Sequence, residues 1–523
     1  MPKTAKRLLI VIPAIVLAAV LSLFITARIF SAKIEPEVRG LAIRYLEQRF
    51  NARVTLERLQ IVLPKISSVR LLWQGGSGIV ARVKGRGLSL SYQGRSDLPP
   101  LLTVATFQAS LDLGTLRQPH PRVPHIALDG VTIVVPPKTD TTHSQNEAPQ
   151  SANSVLIDNL DFSNTRLVVL PKLAGRAPLQ ILLSELHLES AGTGQRMKYR
   201  ARFSNPRPPG QIESQGTFGP WQSDEPGNTP LEGDYDFSNA DLGVFKAIAG
   251  TLHSSGHFTG TLSAVRVSGE AKVPDFRLKN SGNTVPLETQ FDAIVDGVNG
   301  NTVLQPVHAR LLSTFFQTSG AIIQREPNAR RAINLDVVMP QGRVEDCLLL
   351  AMKGKPFMSG LIHMQAKISI PPLSGDVKDK LRLDGTYDIA RGDFLRDSVQ
   401  DKIDELSRRG QGRPNDRNVE NVFSRMSGSF HLEDAVMTFS RLQFEAPGAA
   451  VALHGQYRMA GDVLDFHGTL KLQAKVSQTL VGWKRFLAVP LDPFFEKNGA
   501  GTFLKIEIVG SAQNPKFGRD HAE

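Results

Sequence analysis

Between Val463 and Lys475 the run VLDFHGTLKLQAK places Leu464, Phe466, Leu470, Leu472 and Ala474 on one side of an extended chain. Asp465, His467, Thr469, Lys471, Gln473 and Lys475 fall on the other side, because successive strand side chains point to opposite faces. Just upstream, Val451, Leu453, Tyr457 and Met459 alternate with His454, Gln456 and Arg458. Each run predicts a strand with one apolar and one wetted face. The same period recurs in RVTLERLQIV, GRGLSLSYQG and HIALDGVTIVVPP, and again in VLIDNLDFSNTRLVVLP, PLQILLSELHLESAG, YRARFS, QIESQGTFG and LEGDYDFSNADL. Gly, Pro and Asp bound these runs, so they read as antiparallel strands about ten residues apart.

A few segments depart from period two. Leu8 to Ala27 carries no charge, and at about 1.5 Å per residue it matches the roughly 30 Å hydrocarbon core of a bilayer. Lys3, Lys6 and Arg7 precede it, as an N-terminus on the cytoplasmic side requires, although Arg28, Lys33 and Arg39 follow. An uncleaved anchor is therefore expected over residues 1–30. A cleaved signal peptide is the competing reading; Ile25-Thr26-Ala27 is a poor cleavage site, and either outcome exports the body. Ile34 to Phe50 has the apolar spacing of a short amphipathic helix. Asp241 to Ala249 reads as a helical turn after Asn239 or Asp241, and Glu345 to Lys353 as a short helix. Phe394 to Gly412 is expected to place Leu395, Val399, Ile403 and Leu406 on one helical face before Gly410 ends the helix, and both this helix and that at Glu345 to Lys353 are expected to cover a sheet edge or groove end.

The chain has 523 residues, 41% of them hydrophobic, which is too many residues for one ordinary core and too apolar for general disorder. A single cysteine, Cys347, rules out an intrachain disulfide, and its apolar surroundings in EDCLLLAM favour a packed thiol over a reactive one. The formal charge of +11 is spread along the chain, not gathered into a stripe with aromatics, which argues against nucleic acid. Lys138 to Ser154 has no apolar residue larger than alanine and reads as a polar linker or loop.

Catalytic signatures do not emerge: there is no GxSxG, HExxH, cysteine-rich metal spacing or Walker loop. WQGGSGIV reads as a β-turn. His431, His454 and His467 occur singly at polar strand positions, where exposure explains them better than a three-histidine metal site across adjacent strands. Glu345-Asp346 and Asp404-Glu405 read as capping or arginine-pairing carboxylates, not as an acid and base. No enzyme activity, cofactor or metal is therefore predicted.

About 25 one-sided strands at roughly 4.8 Å spacing make a trough on the order of 100 Å long if they share one sheet. Closed sandwiches would satisfy the apolar faces instead.

The order of parts narrows this choice. An N-terminal anchor is followed by NARVTLERLQIVLPKISSVRLLW, SLSYQG and HIALDGVTIVVPP, and then by GTLSAVRVSGEAKVPDF, VDGVNGNTVLQPVHARL and GRVEDCLLLAMKGKPFMSG. The helix ending LSRRGQG, the long run MSGSFHLEDAVMTFSRLQFEAPGAAVALHGQYRM and the tail IEIVGSAQNPKFG complete the series. Together these cover most of the chain, and their order resembles the AsmA-like family of bacterial envelope proteins.

That resemblance implies a mostly β fold: an N-terminal transmembrane helix, then an elongated, curved antiparallel β-groove with a few short helices, of the bridge-like lipid-transfer type. The expected organisation is an anchor at 1–30, an AsmA-like N-terminal β region at 31–137, the polar segment at 138–154 and a groove body at 155–523. The implied function is to bind or conduct phospholipid acyl chains between inner and outer membranes, from an inner-membrane anchor with the body in the periplasm. Phospholipids, the inner membrane and a periplasmic or outer-membrane protein are the implied partners. The residues expected to represent the groove lining are Val451, Leu453, Leu464, Phe466, Leu470 and Leu472. The alternative is a scaffold that assists outer-membrane protein assembly through exposed sheet edges.

Overall fold

The computed structural model describes residues 39–520 except 41, 45, 48–51, 63–79, 93–98, 113–121, 136–155, 170–178, 192–195, 221, 223–225, 280, 282, 298, 325–329, 374–375, 417, 480–500, 512–513 and a few side chains. The Leu8 to Ala27 span, the turn at 74–79 and the polar segment at 138–154 lie outside the described residues. Among the described residues no helix is long and apolar enough to cross a membrane. The fold is mostly β with few helices, as the alternation predicts.

Two compact units divide the chain, with the break in the main run at Asp241 and short exchanges between 242 and 299. The first unit holds β1 (Ala52–Val62), β2 (Val80–Tyr92), β3 (Leu102–Asp112), β4 (Arg122–Val135), β5 (Leu156–Val169), β6 (Leu179–Ala191), β7 (Met197–Pro206), β8 (Pro209–Phe218) and β9 (Pro230–Asp241). Each strand pairs with the next in sequence, antiparallel except at one place. There β4 and β5 run parallel, in register from Arg122 opposite Leu156 to Val135 opposite Val169. This corrects the expectation of a wholly antiparallel series. A parallel pair needs a crossover connection of a dozen or more residues, and 136–155 supplies that length.

The alternating burial of β1 matches its sequence: Val54, Leu56 and Leu59 are buried while Thr55, Glu57 and Arg58 are exposed. Val83, Leu90, Val104, Ile126, Val131 and Ile157 extend that interior, none more than 2% exposed. The described residues between 39 and 47 are helical, and Ala42 and Leu46 pack into the same cluster, as the amphipathic spacing predicts.

The second unit is organised around β13 (Val285–Val295), β14 (Thr302–Leu311), β15 (Thr314–Ile323), β16 (Ala332–Arg343), β17 (Met358–Ile370) and β18 (Arg382–Phe394), followed by β19 (Ser424–Glu433), β20 (Val436–Ala446), β21 (Ala449–Arg458), β22 (Val463–Leu472), β23 (Thr502–Ser511) and β24 (Pro515–Arg519). They form an antiparallel meander in sequence order. A 3₁₀ turn at Leu242–Val244 takes the first part of the helical turn expected over Asp241 to Ala249, and Ile248–Ala249 is strand instead; this β10, with β11 (Thr251–Thr261) and β12 (Ala264–Leu278), precedes β13 in the chain.

Helices α1 (Val344–Ala351), α3 (Asp397–Gly410) and α4 (Val476–Thr479) all follow strands at one end of this meander, where β16, β18 and β22 finish, and α2 (Val377–Lys380) lies at the other end. Asn283 Nδ2 donates to the carbonyls of Leu349, Met352 and Gly354 at 2.9, 2.8 and 3.0 Å, occupying acceptors that the end of α1 leaves unpaired. Asp346, buried in α1, accepts from Ser313 N and Thr314 Oγ1 at 3.0 and 2.8 Å.

The docked face of α3 differs from expectation. Gln400, Asp404, Ser407 and Gly410 are buried, whereas Val399, Ile403 and Leu406 are half-buried and Leu395 is exposed. Hydrogen bonds to loop backbone account for this. Asp404 accepts from Asn421 N, Val422 N and Gln400 Nε2 at 2.8, 3.0 and 2.8 Å, and Ser407 donates to the carbonyl of Pro447 at 2.8 Å. The helix sits over loops before β19 and between β20 and β21 whose orphan amides and carbonyls need partners, so polar side chains win the interface over apolar ones.

Candidate functional site

The six residues expected to line a groove come together on one face of β21 and β22. Val451 stands opposite Leu470, Leu453 opposite Gly468, Phe466 opposite Gly455, Leu464 opposite Tyr457, and Leu472 opposite Ala449. Directly opposed residues share a face, so all six project to the same side. Leu453, Phe466 and Leu472 are buried, while Val451, Leu464 and Leu470 remain half-buried.

The register carries this face across the rest of the meander. On one side, Leu504, Ile506 and Ile508 of β23 oppose Leu470, Gly468 and Phe466. On the other, Phe444 and Leu442 of β20 oppose Val451 and Leu453, and Phe430 of β19 opposes Phe439. Leu383 and Ile389 of β18 lead on to Ile368 and Ile362 of β17, and then to Leu335 of β16. Tyr387 meets Phe430 across neighbouring strands at 6.3 Å between centroids, while Phe439 with Phe466 at 5.7 Å and Phe394 with Phe444 at 6.4 Å reach over an intervening strand.

Burial along the face is uneven. Near α1, Met339, Val344, Met358, Ile362 and Ile389 form a buried cluster, with Cys347 packed against it. Cys347 Sγ lies 4.0 Å from Met339 Sδ, and burial pushes its thiol up to about 11, so the neutral form prevails at neutral pH. Farther along the strands Leu335, Val337, Met364, Ile368, Leu383, Phe430, Leu442, Ile506 and Ile508 are only half-buried. In the first unit the interior of β1 to β5 is almost fully enclosed, whereas Leu186, Leu188, Tyr199, Phe203, Ile212 and Phe237 on the same face of β6 to β9 are half-buried. In the second unit, then, an apolar row runs from strand to strand with much of its area still open.

The opposite face of the second unit is polar and internally paired. Arg425 pairs with Asp388 at 2.5 Å, Arg382 with Glu433 at 2.8 Å, and Ser369 donates to Asn334 at 2.8 Å. The acidic neighbours singled out in sequence have structural partners: Glu345 meets Arg343, and Glu405 pairs with Arg409 one helical turn on.

The histidines are less solitary than their spacing suggests. His431 Nδ1 meets Asp384 at 2.6 Å, while His454 and His467 stand directly opposite each other on β21 and β22. In the first unit Asp161 joins His125 and His187, at 2.7 and 2.5 Å. Asp161 and His187 sit with Arg200, Glu213, Gln215 and Asp234 around a cleft of about 660 Å³.

Comparison with known protein families, curated proteins and solved structures found no match. The apolar face is therefore interpreted on its own chemistry.

Proposed function

We propose that the second unit binds phospholipid acyl chains along its half-exposed apolar face, in an AsmA-like envelope protein that handles lipid between the inner and outer membranes. The continuous row of half-buried Leu, Ile, Val and Phe side chains from β16 to β23 carries this reading. Water against such a row is unfavourable by about 25 cal/mol per Å² of apolar area, and an acyl chain relieves that cost without any directional bond. Headgroups would stay in water beyond the strand ends.

In this reading the protein anchors at the inner membrane through Leu8 to Ala27 and holds its body in the periplasm, and it performs no covalent chemistry. The residues proposed to contact lipid are Val451, Leu453, Leu464, Phe466, Leu470 and Leu472, together with their row neighbours. Movement along the row would follow a gradient supplied elsewhere.

The test is mass spectrometry of lipid retained by the purified protein in mild detergent. Leu464→Glu combined with Leu470→Glu places two charges on half-buried positions, and retained phospholipid should fall several-fold while circular dichroism is unchanged. Val463→Glu, on the polar side of the same strand, should leave retention at the wild-type level. Equal lipid in the folded double variant would defeat the reading. A lipid-free protein that copurifies with a stoichiometric protein partner would favour the scaffold alternative.

A further inference from the structure

We propose that His467, Glu507 and Asp520 form a binding site for one divalent transition-metal ion, with Zn²⁺ the best match to their ligand chemistry. One ligand atom from each of these three side chains lies within 4.8 Å of the others. They belong to the polar face, so the inference is independent of lipid binding.

The arrangement follows from register. His467 of β22 stands opposite Glu507 of β23, which places imidazole and carboxylate side by side above the sheet. Asp520, just past β24, brings Oδ2 to 3.0 Å from His467 Nδ1 and retains only 14% side-chain exposure. Its amide donates to the carbonyl of Lys505 at 3.3 Å, which fixes the chain beside β23. Gly518 is the β24 residue opposite Glu507. A side chain there would start 2.8 Å from Glu507 Oε1, so glycine leaves the carboxylate room on that side.

Zinc takes imidazole nitrogen and carboxylate oxygen at about 2.0–2.2 Å, so tetrahedral ligands stand roughly 3.4 Å apart. Small side-chain rotations contract the observed cluster to that spacing. The other imidazole nitrogen is already oriented: His467 Nε2 lies 3.1 Å from Asp465 Oδ1. With Nδ1 on the metal, Nε2–H donates to Asp465, the carboxylate–histidine–metal arrangement that fixes ring tautomer and orientation. Water would fill the fourth position. On binding, the cation replaces a proton held between Nδ1 and Asp520, and that proton passes to solvent. The bound ion would tie the residue after β24 to β22 and β23.

The experiment titrates Zn²⁺ into untagged, chelator-stripped, full-length protein by calorimetry at neutral pH. The expected result is one saturable site with proton release. His467→Ala and Asp520→Asn should each weaken it at least tenfold, and Asp465→Asn, which keeps all three ligands, should cost about 10–100-fold. Asp161→Asn, in a separate histidine-carboxylate cluster, should change nothing. Absence of saturable binding overturns the proposal, as does binding that persists in His467→Ala or is lost in Asp161→Asn. Asp520→Asn conserves size and keeps the test decisive if His467→Ala does not fold.

Discussion

Asp161 and His431 show how single ionisable residues set limits on stability from opposite sides. Burial alone would push Asp161 up, but the hydrogen bonds from His187 and His125 outweigh it and hold the carboxyl below the usual range. Its contribution is present above the ordinary carboxylate pKa and disappears as pH falls through the depressed folded value. His431 is the reverse case. The hydrogen bond to Asp384 holds its imidazole above the usual range, aided by Glu433, which also pairs with Arg382. That contribution is complete below about pH 6.5, where an unfolded histidine is charged, and is lost as pH rises through the raised folded value. With chelator present, the thermal midpoint should therefore decline on the alkaline side of pH 6.5. Asp384→Asn should flatten that limb and leave the acid limb in place. An unchanged alkaline limb in the variant would remove His431 as its cause. Neither partnership could be found in local sequence, because Asp384 lies 47 residues from His431 and Asp161 lies 36 from His125.

At the scale of elements, strands and helices were unequally legible. In β21 and β22 a period of two names the apolar face correctly, since opposed side chains leave no other assignment once one face is dry. The end of α3 is equally plain from its glycine stop, but its start is not, since Phe394 closes β18 and Leu395 precedes the helix. Its docked side is not, because a helix held by hydrogen bonds to Asn421, Val422 and Pro447 writes no apolar stripe toward its support. This reverses the usual ranking of substitutions. Asp404→Ala strands buried donors and should cost about 2–4 kcal/mol in chemical denaturation, whereas Ile403→Ser on the half-buried stripe should cost about 1 kcal/mol or less. A larger loss at Ile403 would restore the apolar face as the docked one. Gly410 belongs to the same polar interface: a side chain there would start 2.4 Å from the carbonyl oxygen of Gly448, so the helix end meets the turn backbone to backbone.

For the molecule as a whole, alternation discloses the mostly β character and the one-sidedness of its strands, but not which strand lies beside which or in what direction. The parallel join of β4 and β5 left no local trace, since a strand reads alike for either neighbour orientation. The His467 cluster escaped for a related reason, as its members come from β22, β23 and the residue after β24. The β4–β5 join also separates two kinds of continuity. Here residues 136–155 separate the two strands in sequence while the ladder passes directly from β4 to β5. A protease site engineered between Lys138 and Ser154 would sever the polypeptide without severing the ladder. The two fragments should elute together on gel filtration under native conditions and part only in denaturant.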